Sequence, residues 1–339
     1  MNVEQKTLTI GTRGSALALA QSALVRAMLR RAHPFLEIEI RTIKTSGDIM
    51  PAASLARSGT KGLFIRELEQ ALLRKKIDVA VHSLKDLPTD LPAGLVLSAV
   101  PEREDARDVL IALSSDTLQA PKIVLTSSPR RAFQSKLLWP GCETREIRGN
   151  IETRLRKLEE VGLGHALLLA VAGLRRLDFL KGYQDEGQFD LSQSAIPKEI
   201  LFYRKLPIAE MLPAPGQAAL GLETRADDGI TQERLRCVNH FGSWSAVTAE
   251  RSFLQSLGGG CAAPVAAYAN VTLPPLRDLR LHGLVFDGKG NLWRGEKTGK
   301  QRESETLGKA LAKEFIEAKG SSFVTTQVHG SAVRASASP

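Results

Sequence analysis

The residues of this sequence best suited to chemistry begin with a carboxylate in a short polar motif. Asp86 ends the run His82-Ser83-Leu84-Lys85-Asp86, which directly follows the strand-like stretch Ile77–Val81. A carboxylate beside a lysine at the end of a strand can act as an acid, a base or an electrostatic stabiliser, because the cation changes the pKa of the carboxyl group. The alternative for this motif is a solvated turn with an incidental ion pair.

A second candidate is the thiol of Cys261, which follows the glycines Gly258, Gly259 and Gly260. Three glycines are costly to order, so the fold needs unusual dihedral angles or bare backbone there. A cysteine on such a loop, directly after a helix, is expected to project rather than to pack. The residues alone leave its role open, since a cysteine is more often a small buried apolar residue.

Arginines recur beside small polar residues where a strand is expected to lead into a helix. Backbone N–H groups at a helix start attract anions, and the planar guanidinium matches a carboxylate in two places. Each motif alone could be a solvated helix face, but together they predict a ligand with several anionic groups. The residues are Arg13 and Ser15, then Ser128, Arg130 and Arg131, and then Arg148 and Arg154.

The composition limits the class of ligand. The formal net charge is +9, which suits a nucleic acid, an anionic membrane surface or an acidic small molecule. The arginines are dispersed, without a block of five or six like charges and without interleaved aromatic residues. Discrete carboxylates or phosphates are therefore favoured, and nucleic-acid binding is disfavoured.

The remaining bulk features predict a cytoplasmic protein without a membrane partner. The longest apolar run, Ala166–Leu174, is far shorter than the roughly 20 residues of a spanning helix, and the polar start has no secretory signal pattern. The cysteines Cys142, Cys237 and Cys261 form no CxxC pair. This spacing argues against a metal site and against a disulfide framework.

The elements that must position these motifs follow an α/β pattern with a mainly parallel sheet. A strand at Thr7–Ile10, a helix capped by Ser15 and an alternating strand at Leu36–Ile43 form a βαβ start. A second α/β unit follows, with strands at 108–113, 122–126, 145–148 and 165–171 and helices at 129–138 and 150–160. The last part has a helix at 246–257 and strands at 265–271 and 281–286.

Three segments between the predicted helices and strands lack a regular apolar pattern. Residues 44–61 form a long loop without a sustained period, which predicts a lid. Residues 183–205 are irregular and polar, and we interpret them as a surface insertion. The stretch Leu212–Gly221, rich in proline and glycine, is a candidate hinge.

Nine stretches, taken in order, are together similar to the porphobilinogen deaminase family, also called hydroxymethylbilane synthase. The resemblance covers nearly the whole chain, and the ordered set is far more specific than any one motif. The stretches are IGTRGSALALAQ (10–21), KGLFIRELEQALL (61–73), DVAVHSLKDLPT (78–89), PEREDARDVL (101–110), TSSPRR (126–131), REIRGNIETRL (145–155), LAVAGLRRL (169–177), PAPGQAALGLE (213–223) and GGGCAAP (258–264).

The resemblance implies two similar periplasmic-binding-protein-like lobes around a cleft, plus a small α/β C-terminal domain. The first lobe would comprise residues 1–104 and about 217–240, and the second residues 105–212. The third domain would comprise residues 241–330, followed by a disordered tail at 331–339.

The resemblance also implies a reaction, the head-to-tail condensation of four porphobilinogen molecules into hydroxymethylbilane with loss of four ammonia. The family's cofactor is a covalent dipyrromethane, which would be joined by a thioether to Cys261, and the catalytic aspartate would be Asp86. Cofactor carboxylates would be bound by Lys85, Ser128, Arg130 and Arg131. Substrate carboxylates would be bound by Arg13, Ser15, Arg148, Arg154 and Arg176. A monomer is expected.

Departures from the family pattern leave every expected catalytic group in place. Pro129 replaces an aliphatic residue and suits a first helical turn, while Pro215 and Ala218 replace Val and Gly and would stiffen the hinge. The rival class is a non-catalytic two-lobed binding protein for a small polyanion. Such a receptor needs neither Asp86 nor Cys261.

Overall fold

The computed structural model describes residues 7–44, 65–188, 201–258, 264–274, 277–286 and 292–318. The strands are β1 (Thr7–Thr12), β2 (Glu37–Thr42), β3 (Val79–Ser83), β4 (Leu95–Ala99), β5 (Asp108–Ala112), β6 (Ile123–Leu125), β7 (Glu143–Arg145), β8 (His165–Ala170), β9 (Glu186–Gln188), β10 (Phe202–Lys205), β11 (Leu220–Arg225), β12 (Val265–Val271), β13 (Leu279–Phe286) and β14 (Leu292–Gly299). The α-helices are α1 (Ala16–Ala32), α2 (Arg66–Leu73), α3 (Ser115–Gln119), α4 (Pro129–Leu138), α5 (Ile151–Val161), α6 (Val171–Arg176), α7 (Gly229–Leu235), α8 (Phe241–Ser256) and α9 (Ser304–Glu317).

The first lobe is built on a five-stranded sheet in the order β2-β1-β3-β11-β4. β1 runs parallel to β2 and β3, whereas β11 returns from late in the chain and pairs antiparallel with β3 and β4. Leu8 and Ile10 of β1 pack against Val25 and Leu29 of α1, and all four are fully buried. This packing fixes the end of β1, and therefore Arg13, beside the start of α1.

The second lobe has a six-stranded sheet in the order β7-β6-β8-β5-β10-β9. Its strands β6, β7 and β8 are parallel to one another, while β5 is antiparallel to β8 and β10. Both sheets are therefore mixed, and the prediction of a mainly parallel sheet is only partly right. Antiparallel returns such as β11 come from distant segments, which a local pattern cannot reveal.

The third domain is a three-stranded antiparallel sheet, β12-β13-β14, covered by the helices α8 and α9. The two helices pack very closely at Gly308, where a Cβ atom would lie 2.3 Å from the carbonyl oxygen of Ala249. Phe253 of α8 is fully buried between the helices and the sheet. α8 begins five residues before the predicted start at Ala246, because His240 caps it through Ser243 N.

The expected fold class, two α/β lobes with a small C-terminal α/β domain, is confirmed. The exact domain boundaries stay a prediction. The prediction of a surface insertion at 183–205 is wrong at both ends, where β9 and β10 join the second sheet and Tyr203 is buried. The predicted lid, apart from Lys44, the loop with Cys261 and the tail at 331–339 lie outside the described residues.

Candidate active site

A cavity of about 630 Å³ lies between the two lobes. Among the described residues, six basic side chains line it, together with a single acidic one, Glu152. Both lobes contribute, since two of the basic residues follow strands of the first lobe and four belong to the second. They are Arg13, Lys85, Arg131, Arg148, Arg154 and Arg176.

Three helices begin at or near this cavity, and in each a side chain caps the first turn, at Ser15 as predicted. The Ser15 hydroxyl accepts from Ala18 N at 3.3 Å, and the Asn150 side chain accepts from Thr153 N at 2.8 Å. Ser128 accepts from Arg131 N, and Pro129 takes the first helical position. Capping satisfies one backbone N–H at each helix start. Ser15 and Asn150 line the cavity, whereas Ser128 lies outside the lining set among the described residues.

The two adjacent arginines of the second lobe share one buried carboxylate. Asp108 Oδ2 accepts from Arg130 at 2.7 Å, and Asp108 Oδ1 accepts from the Nη2 atom of Arg131 at 2.7 Å. Burial alone would raise the pKa of Asp108, but the two guanidiniums hold it well below its usual range. Arg131 reaches the cavity, whereas Arg130 also donates to the carbonyl of Leu212 and lies behind it.

Among the basic side chains of the cavity, Lys85 has a pKa that lies close to neutral pH. It lies in the 3-10 turn Leu84–Asp86, which directly follows β3, and its ammonium donates to Gln217 Oε1 at 3.5 Å. Burial and the neighbouring Arg131 lower the pKa of Lys85 to about 8, although Asp86 and Asp108 act in the opposite direction. Lys85 is thus still mostly protonated at pH 7, but its pKa is only about one unit higher. An incoming carboxylate would stabilise the ammonium and raise this pKa.

Arg154 and Arg176 also have strongly desolvated charges. Arg154 Nε donates to the carbonyl of Gly149 at 2.8 Å, and Arg176 Nη2 donates to the carbonyl of Ala218 at 2.5 Å. Burial lowers the pKa of Arg176 to about 10. Its Nε atom is buried and has no hydrogen-bond partner within the described part of the chain. Such an orphaned donor is costly unless a ligand satisfies it.

Asp86 faces a smaller adjoining cavity of about 300 Å³. This second cavity shares Arg13, Ser15 and Ser83 with the larger one, so the two form one continuous cleft. Asp86 itself is exposed at the end of the 3-10 turn. The aspartate therefore lies where a ligand held by the arginines would meet a solvated carboxylate.

The structure thus brings together Arg13, Ser15, Lys85, Asp86, Arg131, Arg148, Arg154 and Arg176 from the predicted set. The sequence-based predictions missed Asp108 and Gln217, two buried residues that hydrogen-bond to the cleft side chains Arg131 and Lys85. The sequence held one signal for Asp108, because this charged residue is the first of the otherwise apolar run Asp108–Ala112, and in the structure all five residues are buried. Gln217 donates to Asp108 Oδ1 at 2.9 Å and accepts from Lys85, so it links the two lobes.

The described residues contain no group of three or more His, Cys, Asp or Glu side chains placed to hold a metal ion. Among the same residues, no helix is long and apolar enough to cross a membrane. The desolvated cations and the orphaned Arg176 donor fit a ligand with several carboxylates. Pyrrole rings that each carry an acetate and a propionate, as in a dipyrromethane, have that character.

The fold and the cleft define a two-lobed α/β protein that binds a ligand with several carboxylates. Comparison with known families gives two matches that together span most of the chain. Residues 8–233 match the porphobilinogen deaminase, dipyromethane cofactor binding domain, and residues 244–317 match the porphobilinogen deaminase C-terminal domain. The chain belongs to the porphobilinogen deaminase family. The predictions of an enzyme of tetrapyrrole synthesis and of a dipyrromethane cofactor are thereby confirmed, and the alternative of a non-catalytic binding protein is rejected.

Individual relatives agree with the family assignment. The porphobilinogen deaminase of Chloroherpeton thalassium is 46% identical over 79% of this chain and 80% of its own length. That of Chlorobium luteolum is 40% identical over 96% of this chain and 99% of its own. Among solved structures, the Bordetella pertussis BvgS periplasmic VFT2 domain is similar at 12% identity, with a TM-score of 0.39 over 69% of this chain and 87% of that one.

Proposed function

We propose that this cleft condenses four porphobilinogen molecules head to tail into hydroxymethylbilane, with Asp86 as the catalytic carboxylate and Cys261 as the anchor of the dipyrromethane. The observation that carries the proposal is the set of desolvated cations facing Asp86 across one cleft. When bound, the dipyrromethane supplies the pyrrole end that is extended.

The predicted binding residues fall into two groups, one for the cofactor and one for the substrate. Lys85, Ser128, Arg130 and Arg131 are assigned to the cofactor, and Arg13, Ser15, Arg148, Arg154 and Arg176 to the substrate and the growing chain. For Arg130 the support is indirect, since it holds Asp108, which in turn orients Arg131. Guanidiniums in a partly desolvated site bind carboxylates more strongly than they do in water.

Asp86 is placed to serve the amine that departs as each unit is added. Its exposed carboxylate follows Lys85 directly in the chain and lines the smaller cavity together with Arg13. It can accept a hydrogen bond from the substrate ammonium, which leaves as neutral ammonia with the electron pair of the broken C–N bond, and it can stabilise the positive charge left on the pyrrole unit. No other carboxylate lines this smaller cavity within the described residues.

The protein is further proposed to act in the cytoplasm as a monomer on a small-molecule substrate, without a nucleic-acid or membrane partner. The basic residues lie singly around a cavity, and a continuous phosphate backbone would instead need a basic stripe on an open surface.

Intact-mass measurement tests the anchor. The purified protein should exceed its sequence mass by one dipyrromethane, and Cys261→Ser should remove the excess. Cys237→Ser is the matched control, because Cys237 is an exposed thiol far along the chain from the glycine loop. Loss of the adduct in the control, or its persistence in Cys261→Ser, would reject the assignment.

Turnover measurement tests the carboxylate. Asp86→Asn should keep the fold and the adduct but lower the rate of porphobilinogen consumption by about a hundredfold or more, since acid–base groups contribute about 10²–10⁴-fold. Asp116→Asn, an exposed aspartate at the start of α3, should change the rate less than about twofold. A two-lobed receptor without catalysis would show no turnover in any variant, wild type included.

A further inference from the structure

One face of α8 follows the chain segment that carries Asp86. Val247, Arg251 and Gln255 are spaced four residues apart and therefore lie along one stripe of the helix. Val247 packs in a buried cluster with Leu84 and Leu87, the apolar residues on either side of the Lys85–Asp86 pair. Gln255 Nε2 donates to Asp90 Oδ1 at 2.6 Å. The stripe thus contacts the segment before and after Asp86.

Arg251, at the centre of this stripe, binds the backbone just after Asp86. Its Nη1 atom donates to the carbonyl of Leu87 at 2.9 Å, and its Nη2 atom donates to the carbonyls of Pro88 at 2.6 Å and Thr89 at 3.4 Å. These carbonyls belong to the irregular segment between the 3-10 turn and β4. One guanidinium with fixed geometry therefore holds three successive carbonyls in one arrangement.

The same helix leads directly to the cofactor anchor. α8 is held in the third domain by Phe253 and by its close contact with α9 at Gly308. It ends at Ser256, and Gly258, with φ +91°, opens the glycine run that precedes Cys261. The segment that follows Asp86 is thus bound to the same helix that leads, in the sequence, into the cysteine loop.

We infer that Arg251 is a positioning residue that fixes the Asp86 segment relative to α8, the helix that precedes Cys261 in the chain. This inference rests on the proposed roles of Asp86 and Cys261. As the chain is extended, the reacting end must be presented to the same carboxylate in successive cycles. A clamp between α8 and residues 87–89 fixes the backbone next to Asp86 against the helix that the cysteine loop follows in the chain. The three hydrogen bonds of Arg251 described above all go to this backbone, so Arg251 acts on Asp86 through it.

The test compares Arg251→Met and Arg251→Lys with wild type, using Arg294→Met as the matched control. Arg294, on β14, also donates from the third domain to a backbone carbonyl, that of Ala209, at 2.7 Å. Arg251→Met should lower kcat about 10- to 100-fold, the loss expected when reacting groups are misplaced by about an ångström. KM for porphobilinogen should stay within about twofold, because the arginines that bind carboxylates are untouched.

Two further readouts separate positioning from a general loss of structure. Hydrogen exchange of residues 84–90 should quicken in Arg251→Met and remain as in wild type in Arg294→Met. Arg251→Lys should recover part of kcat, because an ammonium reaches one or two of the three carbonyls. If Arg251→Met does not fold, Arg251→Lys carries the comparison, with a smaller fall in kcat at constant KM.

The inference is overturned if the Arg251 variants match Arg294→Met in kcat and in exchange of residues 84–90. It is equally overturned if KM rises in step with the fall in kcat. Failure of the proposed function would look different, since wild type and Arg294→Met would then lack the adduct and turnover. The exchange of residues 84–90 would still report whether Arg251 clamps that segment.

Discussion

The basic residues of the cleft differ in what already neutralises them. Arg131 shares the buried Asp108 with Arg130, whereas the hydrogen bonds of Lys85, Arg154 and Arg176 described above go to neutral amide and carbonyl oxygens. A neutral oxygen compensates a desolvated cation less than a carboxylate does. The charges of Lys85, Arg154 and Arg176 are therefore stabilised most when a ligand carboxylate binds. Their pKa values should accordingly differ between the empty and the occupied cleft.

The pKa of Lys85 makes this dependence measurable. Because the pKa is lowered to about 8, the ammonium is fully present below about pH 7 and is lost as the pH rises through 8. We expect kcat/KM of wild type, which reports groups of the free enzyme, to fall above pH 8 by up to about tenfold per unit. Lys85→Arg should lack this fall between pH 8 and 9, because a guanidinium keeps its proton there even when burial lowers its pKa to about 10, as for Arg176.

The matched comparison uses Lys122→Arg, an exposed lysine of the second lobe. It should reproduce the wild-type profile, since the titrating group is untouched. An identical fall above pH 8 in wild type and in Lys85→Arg would assign the titration to another group. Both profiles are measured at constant ionic strength, because salt screens the cleft charges.

At the scale of elements, the turn before β11 places an unusual demand on its residues. Gly216 has φ +72°, which suits glycine, but Ala218 has φ +70°, a conformation that costs a residue with a Cβ about 1 kcal/mol or more. The carbonyl of Ala218 accepts from Arg176, and Ala219 follows in ordinary conformation within a buried cluster. The strained turn thus holds one end of a cleft arginine.

Ala218→Gly should therefore raise the free energy of unfolding by up to about 1 kcal/mol, because relief of strain exceeds the added freedom of the unfolded chain. Ala219→Gly, the neighbouring control, should lower it by about 1–2 kcal/mol, through backbone entropy and one lost buried methyl group. Urea titration at pH 7 with comparable m-values measures both. Equal destabilisation by the two changes would show that the positive φ at Ala218 carries no strain.

At the scale of the whole molecule, one fully buried carboxylate connects the three parts of the chain. Glu250 of α8 accepts two hydrogen bonds from Arg103, at 2.6 and 3.1 Å, and one each from Gly216 N and Ala269 N at 2.7 Å. Arg103 also donates to the carbonyl of Gln217 at 2.8 Å. The node therefore joins the end of the first lobe, the turn before β11 and the third domain.

Glu250→Gln should destabilise the protein by about 3–5 kcal/mol, because it leaves the guanidinium of Arg103 buried without its counter-charge. Glu143→Gln is the control, since Glu143 pairs with Arg145 on the surface, where such pairs are worth about 0–1 kcal/mol. Free energies of unfolding in urea at pH 7 give the comparison. A loss in Glu250→Gln no larger than in the control would mean that the node is not a stability element.

Much of the site could be predicted because its signals are local. The N-caps Ser15, Ser128 and Asn150 lie one residue before helices that begin where the sequence predicts them, within a residue or two. The polar residues Lys85 and Asp86 follow a buried strand as predicted. Local signals fail where the partner is distant, as for the return of β11 into the first sheet and for the strands β9 and β10 within residues 183–205.

The order of motifs in the sequence by itself determined the family, the α/β class and the residues able to bind carboxylates or act as an acid. Only the tertiary structure decided which of those charges are available. Arg130 and Arg131 are adjacent on helix α4, yet one lies behind the cleft and the other reaches it, because Asp108 at the start of β5 binds both. Desolvation and pairing depend on neighbours in space, so they are set by the fold and not by the motif.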